Sequence, residues 1–290
     1  MANILSKEDQ IQILTLLVEG NSIRSTSRIT DCHKKTVTRV LVDAGNGCRA
    51  FLDAELRGLK LAHVQCDEIW TFVGKKQARL TLDEKDERFD IGDMFLFTGL
   101  DQETKLIPSF LVGKRSADNA RKFMTDLAGR LVFPKPHESD PHAYAAGTRP
   151  VVVQISTDGF AADPEAVNLT FGAHVKYGVI IKEFRIANIV YQPSEIVGTK
   201  RRCVFGMNES EERSIATSHV ERNNLTIRTF MKRFTILALG FSKKLANLEA
   251  AVALHLAYYN FCWRPRMQVG QAHAHAGDDG GGDGSALVHG

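Results

Sequence analysis

Val151-Val152-Val153-Gln154-Ile155-Ser156-Thr157, closed by Asp158-Gly159, is the stretch from which the fold is read. It is a short apolar run of the kind typical of a buried strand. Gly159 lets the backbone turn sharply behind Asp158. Upstream, Val64 to Gly74 forms a candidate strand, and the charged segment Asp83 to Asp90 reads as a loop. Asp93 to Leu100 and Leu106 to Val112 read as a strand pair around Asp101-Gln102-Glu103-Thr104. Ser116 to Leu131 is helical with Ser116 as its cap, and a loop rich in Pro and His follows, Phe133 to Pro150. Downstream come a helix from Asp163 to Phe171, a strand from Val175 to Phe184, and a mixed polar stretch, 185–213. Two long helices are expected last, Ser214 to about Leu239 and Ser242 to Phe261. Three strands, helix, strand, helix, strand, then helices is the order of an α/β, ribonuclease-H-like mixed sheet flanked by helices.

The N-terminal part has a different character. Ile11, Leu14 and Val18 recur at helical spacing, and Gly20-Asn21 stops the pattern. Ser22 can cap a second short helix to Ile29, and a third is expected from His33 to Ala44. On that third helix Val37, Val40, Leu41 and Ala44 share one face, while Lys35, Thr38 and Arg39 point away from it. A small all-α helix-turn-helix region over 1–60 has this form, with Lys35, Thr38 and Arg39 as candidate DNA contacts. A helical bundle with a solvated face fits the same residues. The expected division is then 1–60, 61–263 for the α/β domain, and a low-complexity tail, 264–290.

Composition narrows the class only broadly. The 290-residue chain is 43% hydrophobic and 24% charged, with a net charge of +3, too mild to argue for nucleic acid by itself. No stretch has the apolar length of a membrane span and the N-terminus lacks a signal-peptide profile, so cytoplasmic residence is expected. The cysteines, Cys32, Cys48, Cys66, Cys203 and Cys262, form no Cys-x-x-Cys pair, which argues against a zinc module.

Three acids suit a magnesium site. Phosphoryl transfer on DNA by two metal ions about 3.5–4 Å apart needs carboxylates at strand ends or on a facing helix. Asp67 lies mid-strand in Val64-Gln65-Cys66-Asp67-Glu68-Ile69-Trp70, where an unpaired acid is costly unless something binds it. Asp158 ends the buried run. Glu221 lies in Ser218-His219-Val220-Glu221-Arg222-Asn223-Asn224, with Arg228 and Lys232 expected on its helical face, where DNA phosphate could lie alongside. On chemistry alone Glu68, Asp163, Glu165, Glu209, Glu211 and Glu212 remain rivals, since acids after strands and on helices are commonly turn or solvated residues.

Four segments carry a more specific signal: Val-Gln-Cys-Asp-Glu-Ile-Trp-Thr-Phe (64–72), Lys-Leu-Ile-Pro-Ser-Phe-Leu-Val-Gly (105–113), Ser-Thr-Asp-Gly-Phe (156–160) and Ser-His-Val-Glu-Arg-Asn-Asn-Leu-Thr-Ile-Arg (218–228). With Arg-Phe-Thr (233–235), Phe-Ser-Lys-Lys (241–244) and Ala-Tyr-Tyr-Asn-Phe (257–261), the chain resembles insertion-sequence transposases of the IS-one type over roughly residues 5 to 263. The resemblance implies a helix-turn-helix followed by a ribonuclease-H-like domain of the aspartate-aspartate-glutamate class. It implies that Asp67, Asp158 and Glu221 bind metal and act in catalysis, with Arg228 as the basic residue seven positions on. The implied cofactor is Mg²⁺, with Mn²⁺ as a substitute. The implied partners are double-stranded DNA, as terminal repeats and target, and further copies of the chain in a homo-multimer. The implied reaction is nicking at element ends and attack of the freed 3′-hydroxyl on target DNA.

Two departures from the resemblance stand out. Asp163 takes the place of a tyrosine, putting a charge close to the expected site. The tail, 264–290, carries Asp278-Asp279-Gly280-Gly281-Gly282-Asp283 in place of the family's ending, and a frameshift is the expected origin; an ordinary low-complexity tail is the alternative. These departures keep open a decayed, element-encoded DNA-binding regulator without catalysis. A structure-selective nuclease is disfavoured by the N-terminal helices, because sequence-specific docking suits recognition of element ends.

Overall fold

A computed structural model describes residues 5–133, 153–185, 195–235 and 240–263. Its centre is a six-stranded mixed sheet in the order β3-β2-β1-β4-β5-β6, with β1 His63–Val73, β2 Gly92–Asp101, β3 Ser109–Gly113, β4 Val153–Thr157, β5 Val175–Arg185 and β6 Glu195–Phe205. β1, β4 and β5 run parallel and the outer pairings are antiparallel. β4 is buried at every position, as a short central strand covered on both faces must be.

Helices cover both faces. On one side lie α5 (Ala117–Arg130) and α6 (Asp163–Phe171), whose Phe123, Leu127, Val167 and Phe171 pack against Val64, Cys66, Ile155 and Tyr177 of the sheet. On the other lie α7 (Ser218–Phe230) and α8 (Leu245–Phe261), packed with Ile69 and Val73 of β1. Alternate residues of β1 therefore serve two different cores, as the period of two requires.

The N-terminal helices are α1 (Lys7–Val18), α2 (Ile23–Ile29) and α3 (Lys34–Glu55), with Ser6 and Ser22 accepting backbone N–H bonds as caps. Ile13, Val37 and Val40 make a small core of their own. α3 runs eleven residues beyond the expected Ala44 and packs along α8, so Leu41, Leu52 and Leu56 join the core that holds Ile69 and Leu256. Gly45 permits this crossing: a Cβ there would stand 2.2 Å from the Ala250 carbonyl oxygen. The buried Arg130 guanidinium reinforces it, pairing with Asp53 of α3 at 2.5 Å and with Asp126 at 2.7 Å.

Several expectations need correction. The charged segment after β1 holds a short helix, α4 (Leu82–Glu87), started by a reciprocal capping box between Thr81 and Glu84. The polar stretch after β5 contains β6, a whole strand. The glutamate helix stops at Phe230, short of the expected Leu239, and a 3-10 turn at Lys232–Phe234 follows. Tertiary packing ends it there: Met231 and Phe234 turn into the core, and the Thr71 hydroxyl donates to the Arg233 carbonyl. The tail, 264–290, and most of the Pro- and His-rich loop lie outside the described residues. Among the described residues no helix is long and apolar enough to cross a membrane.

Candidate metal centre

The register of three strands creates the site. β1 pairs with β4 only over His63–Gln65, level with Gln154–Ser156, and β4 ends at Thr157. β1 runs on for eight residues past Gln65, and β5 runs on with β6 beyond its last β4 partner, Val179. A notch therefore opens in the sheet at the carboxyl end of β4, the usual place for ligands in α/β sheets. Asp158 sits at its floor, and continuing the β1–β4 register puts it level with Asp67 of β1.

Asp67, Glu68 and Asp158 each offer a carboxylate oxygen within 4.8 Å of the others. Neighbouring strand residues point to opposite faces, so Asp67 reaches toward α7 and Glu68 toward α5 and α6. Asn224 of α7 donates to Asp67 Oδ2 at 2.6 Å, and the Glu68 amide donates to Asp67 Oδ1 at 2.8 Å. On the opposite face Arg115 donates through Nε (3.1 Å) and Nη2 (2.9 Å) to Glu68 Oε2, and its guanidinium lies 4.3 Å from the Phe160 ring centre. Asp158 Oδ1 is buried with no hydrogen-bond partner among the described residues. Backbone geometry behind it is as expected, with Gly159 at φ +91°.

Crowding shows in the proton affinities. Burial, then the Asp158 charge, pushes Asp67 up to about 7. Burial, then Asp163 and Asp158, pushes Glu68 up to about 8 against the pull of Arg115. Burial also pushes Asp163 up to about 7, opposed by a hydrogen bond from Thr157. Asp163, at the first turn of α6, is 2% exposed. The charge that replaces a tyrosine in the resemblance is thus inside the acidic cluster, on the Glu68 side. Of the rivals, Glu68 and Asp163 belong to the cluster. Glu165, Glu209 and Glu212 are exposed, and Glu211 pairs with Lys176 at the other end of the sheet.

Glu221 is placed differently. It lies on α7 above the same face as Asp67, but outside the group of three whose oxygens converge. Its Oε1 takes the Lys182 ammonium at 2.5 Å and the Thr217 hydroxyl at 2.5 Å. Lys182 comes from the part of β5 beyond its last β4 partner and is close enough to Asp67 to favour its charged form. Sequence reasoning missed Lys182, Asn224 and Arg115; only the pairing of β5 with β4 and the docking of α7 bring them here. Arg228 is half-buried on α7, seven residues past Glu221 and forming no ion pair among the described residues. Lys232 is exposed in the turn after α7, so it does not continue the Glu221 helix face as expected. Lys35 and Arg39 are exposed and Thr38 half-buried on the first turns of α3.

The donor set is all oxygen, it includes a buried unpartnered carboxylate atom, and its repulsion is relieved by a cation, all of which suit a hard divalent ion such as Mg²⁺. Compared with known proteins, the chain matches no family model and no curated protein.

Proposed function

We propose that the chain is a transposase of the aspartate-aspartate-glutamate class, acting by metal-dependent phosphoryl transfer on DNA. The observation that carries this reading is the convergence of Asp67 on β1 with Asp158 just past the end of β4, with Asp158 Oδ1 buried and without a partner among the described residues and the Glu221 helix above. The sheet order β3-β2-β1-β4-β5, flanked by helices, supports a ribonuclease-H-like domain. Asp67 and Asp158 would hold Mg²⁺, with Glu221 completing the set. The bound ion would supply an activated oxygen nucleophile and charge stabilisation for the leaving oxygen.

The protein's own groups have distinct tasks. Asn224 orients Asp67 by donating to Oδ2, which leaves Oδ1 turned along β1. Arg115 fixes Glu68 on the far face. Arg228 and Lys232 offer positive charge for the DNA backbone beside α7. At the N-terminus, α2 and α3 are joined by residues 30–33, with Asp31 at φ +52°, and α3 would serve as the recognition helix, with its exposed Lys35 and Arg39 toward DNA. Element ends as the DNA partner, and a multimer to pair them, follow from the resemblance.

A second reading has one observation in its favour: Glu221 is engaged by Lys182 instead of joining the aspartates. In that reading the chain binds DNA without cutting it. A labelled duplex carrying the flanking terminal repeat separates the two. Mg²⁺-dependent nicking at the repeat boundary, lost in Asp158→Asn and Glu221→Gln while binding survives, is the expected result. Binding without nicking by the wild type supports the regulator.

A further inference from the structure

The acidic cluster has a cation on each face, and the two are not equivalent. Arg115 holds Glu68 from the α5–α6 side, and both of its hydrogen bonds go to one oxygen. Lys182 holds Glu221 on the α7 side, through the one oxygen that also accepts from Thr217. An oxygen that already accepts from an ammonium and a hydroxyl has little left to offer a metal ion. The Lys182 side chain is 18% exposed and that of Glu221 38%, so the pair is only partly screened by solvent.

We propose that Lys182 is an internal counter-cation of the metal centre: it restrains Glu221 beside the aspartates, and a divalent ion competes with the ammonium for that carboxylate. The inference rests on the metal-centre reading given above. Lys182 is placed to do this because β5 outruns β4, which carries its side chain past the end of β4 to the level of the notch. Its charge also acts on Asp67, so it faces two of the three acids the reading assigns to metal. A divalent ion among the same carboxylates would be repelled by the ammonium, and while Lys182 holds Oε1 only the second oxygen of Glu221 is left for the ion. Lys182 is in this sense a positioning residue: it touches Glu221, not the reacting atoms.

The test is Mn²⁺ binding by titration calorimetry on the full chain without DNA, which reads affinity independently of cleavage. Lys182→Met keeps most of the unbranched side chain and removes its charge, and is expected to bind Mn²⁺ on the order of tenfold more tightly than the wild type. Lys182→Arg keeps the charge and is expected to stay within about threefold of the wild type. In a Glu221→Gln background the gain from Lys182→Met is expected to shrink to less than about threefold, because the competing pair is already gone. Unchanged or weaker binding by Lys182→Met overturns the proposal, as does an equal gain in the Glu221→Gln background. Lys182→Gln serves in place of the methionine variant if that variant fails to fold. Asp158→Asn tests the parent reading separately: if it binds Mn²⁺ as well as the wild type, or if no variant binds at all, the metal centre itself is wrong and this inference falls with it.

Discussion

His255 should make the fold sensitive to acid, by an amount the structure allows to be worked out. It lies on the inner face of α8, 5% exposed, with neither ring nitrogen hydrogen-bonded among the described residues. Its ring stacks at 6.3 Å on Phe230, the last residue of the helix that carries Glu221. Burial pushes its pKa from 6.5 down to about 4. The folded protein therefore keeps the ring neutral while the unfolded chain takes up a proton below 6.5. Stability present above that pH is lost as pH falls toward 4, by about 3 kcal/mol in all and about 2 kcal/mol at pH 5. His255→Leu removes the proton uptake and keeps an apolar body in the same place. Urea unfolding at pH 7.5 and pH 5, followed by circular dichroism, should show the stability of the variant relative to wild type improving by about 2 kcal/mol at the lower pH. A difference between the two proteins that is the same at both pH values would refute the reasoning, and would mean that the ring finds a partner or solvent when charged.

Divalent metal should stabilise the wild type more as pH rises from 6 to 8.5. Asp67 and Asp163, with pKa values pushed up to about 7, and Glu68, to about 8, hold protons that must leave, and without metal the cluster's contribution to stability declines across that window. Thermal melts with and without Mg²⁺ check this, and a metal shift that is larger at pH 6 contradicts it. Gly45→Val should cost at least about 1–3 kcal/mol, because its Cβ would collide with the α8 backbone at Ala250, and chemical unfolding measures the loss. Lys35→Ala with Arg39→Ala should weaken binding to terminal-repeat DNA and lower the salt slope of log affinity by about 2, one for each phosphate that these two side chains neutralise. An unchanged slope would place the DNA elsewhere.

The parts of the fold legible in the sequence are those in which local pattern and tertiary demand agree. β4 and α5 are readable because an apolar run and a Ser116 cap each meet the environment their pattern anticipates. β6 is not readable. It is an edge strand whose Thr199, Lys200, Arg201 and Arg202 are exposed in succession, so no alternation marks it. The expected end of α3 at Ala44 falls just before Gly45, where the missing side chain is the space α8 occupies, so the helix continues through a glycine that only tertiary packing explains. α7 reads too long because Met231 and Phe234 keep a helix-like apolar spacing while the chain has already turned to bury them.

The site divides in the same way. Asp67 and Asp158 can be proposed from the cost of an acid in a strand and from a turn glycine after a buried run, and the strand register makes them neighbours. Glu68 and Asp163 cannot be ranked above other acids, since their membership depends on which face of β1 meets α6. Lys182 leaves no local trace. It is 115 residues from Asp67 in the chain, and only the length of β5 relative to β4 brings the two together.

The central claim, that Asp67 and Asp158 share a metal ion, is tested most directly by anomalous diffraction from crystals grown with Mn²⁺. The account predicts a peak at the notch, within about 2.0–2.6 Å of an oxygen of each aspartate, with Asp158 Oδ1 among the ligands. Strong Mn²⁺ peaks elsewhere with none between these two carboxylates, in crystals where both side chains are ordered, would contradict it.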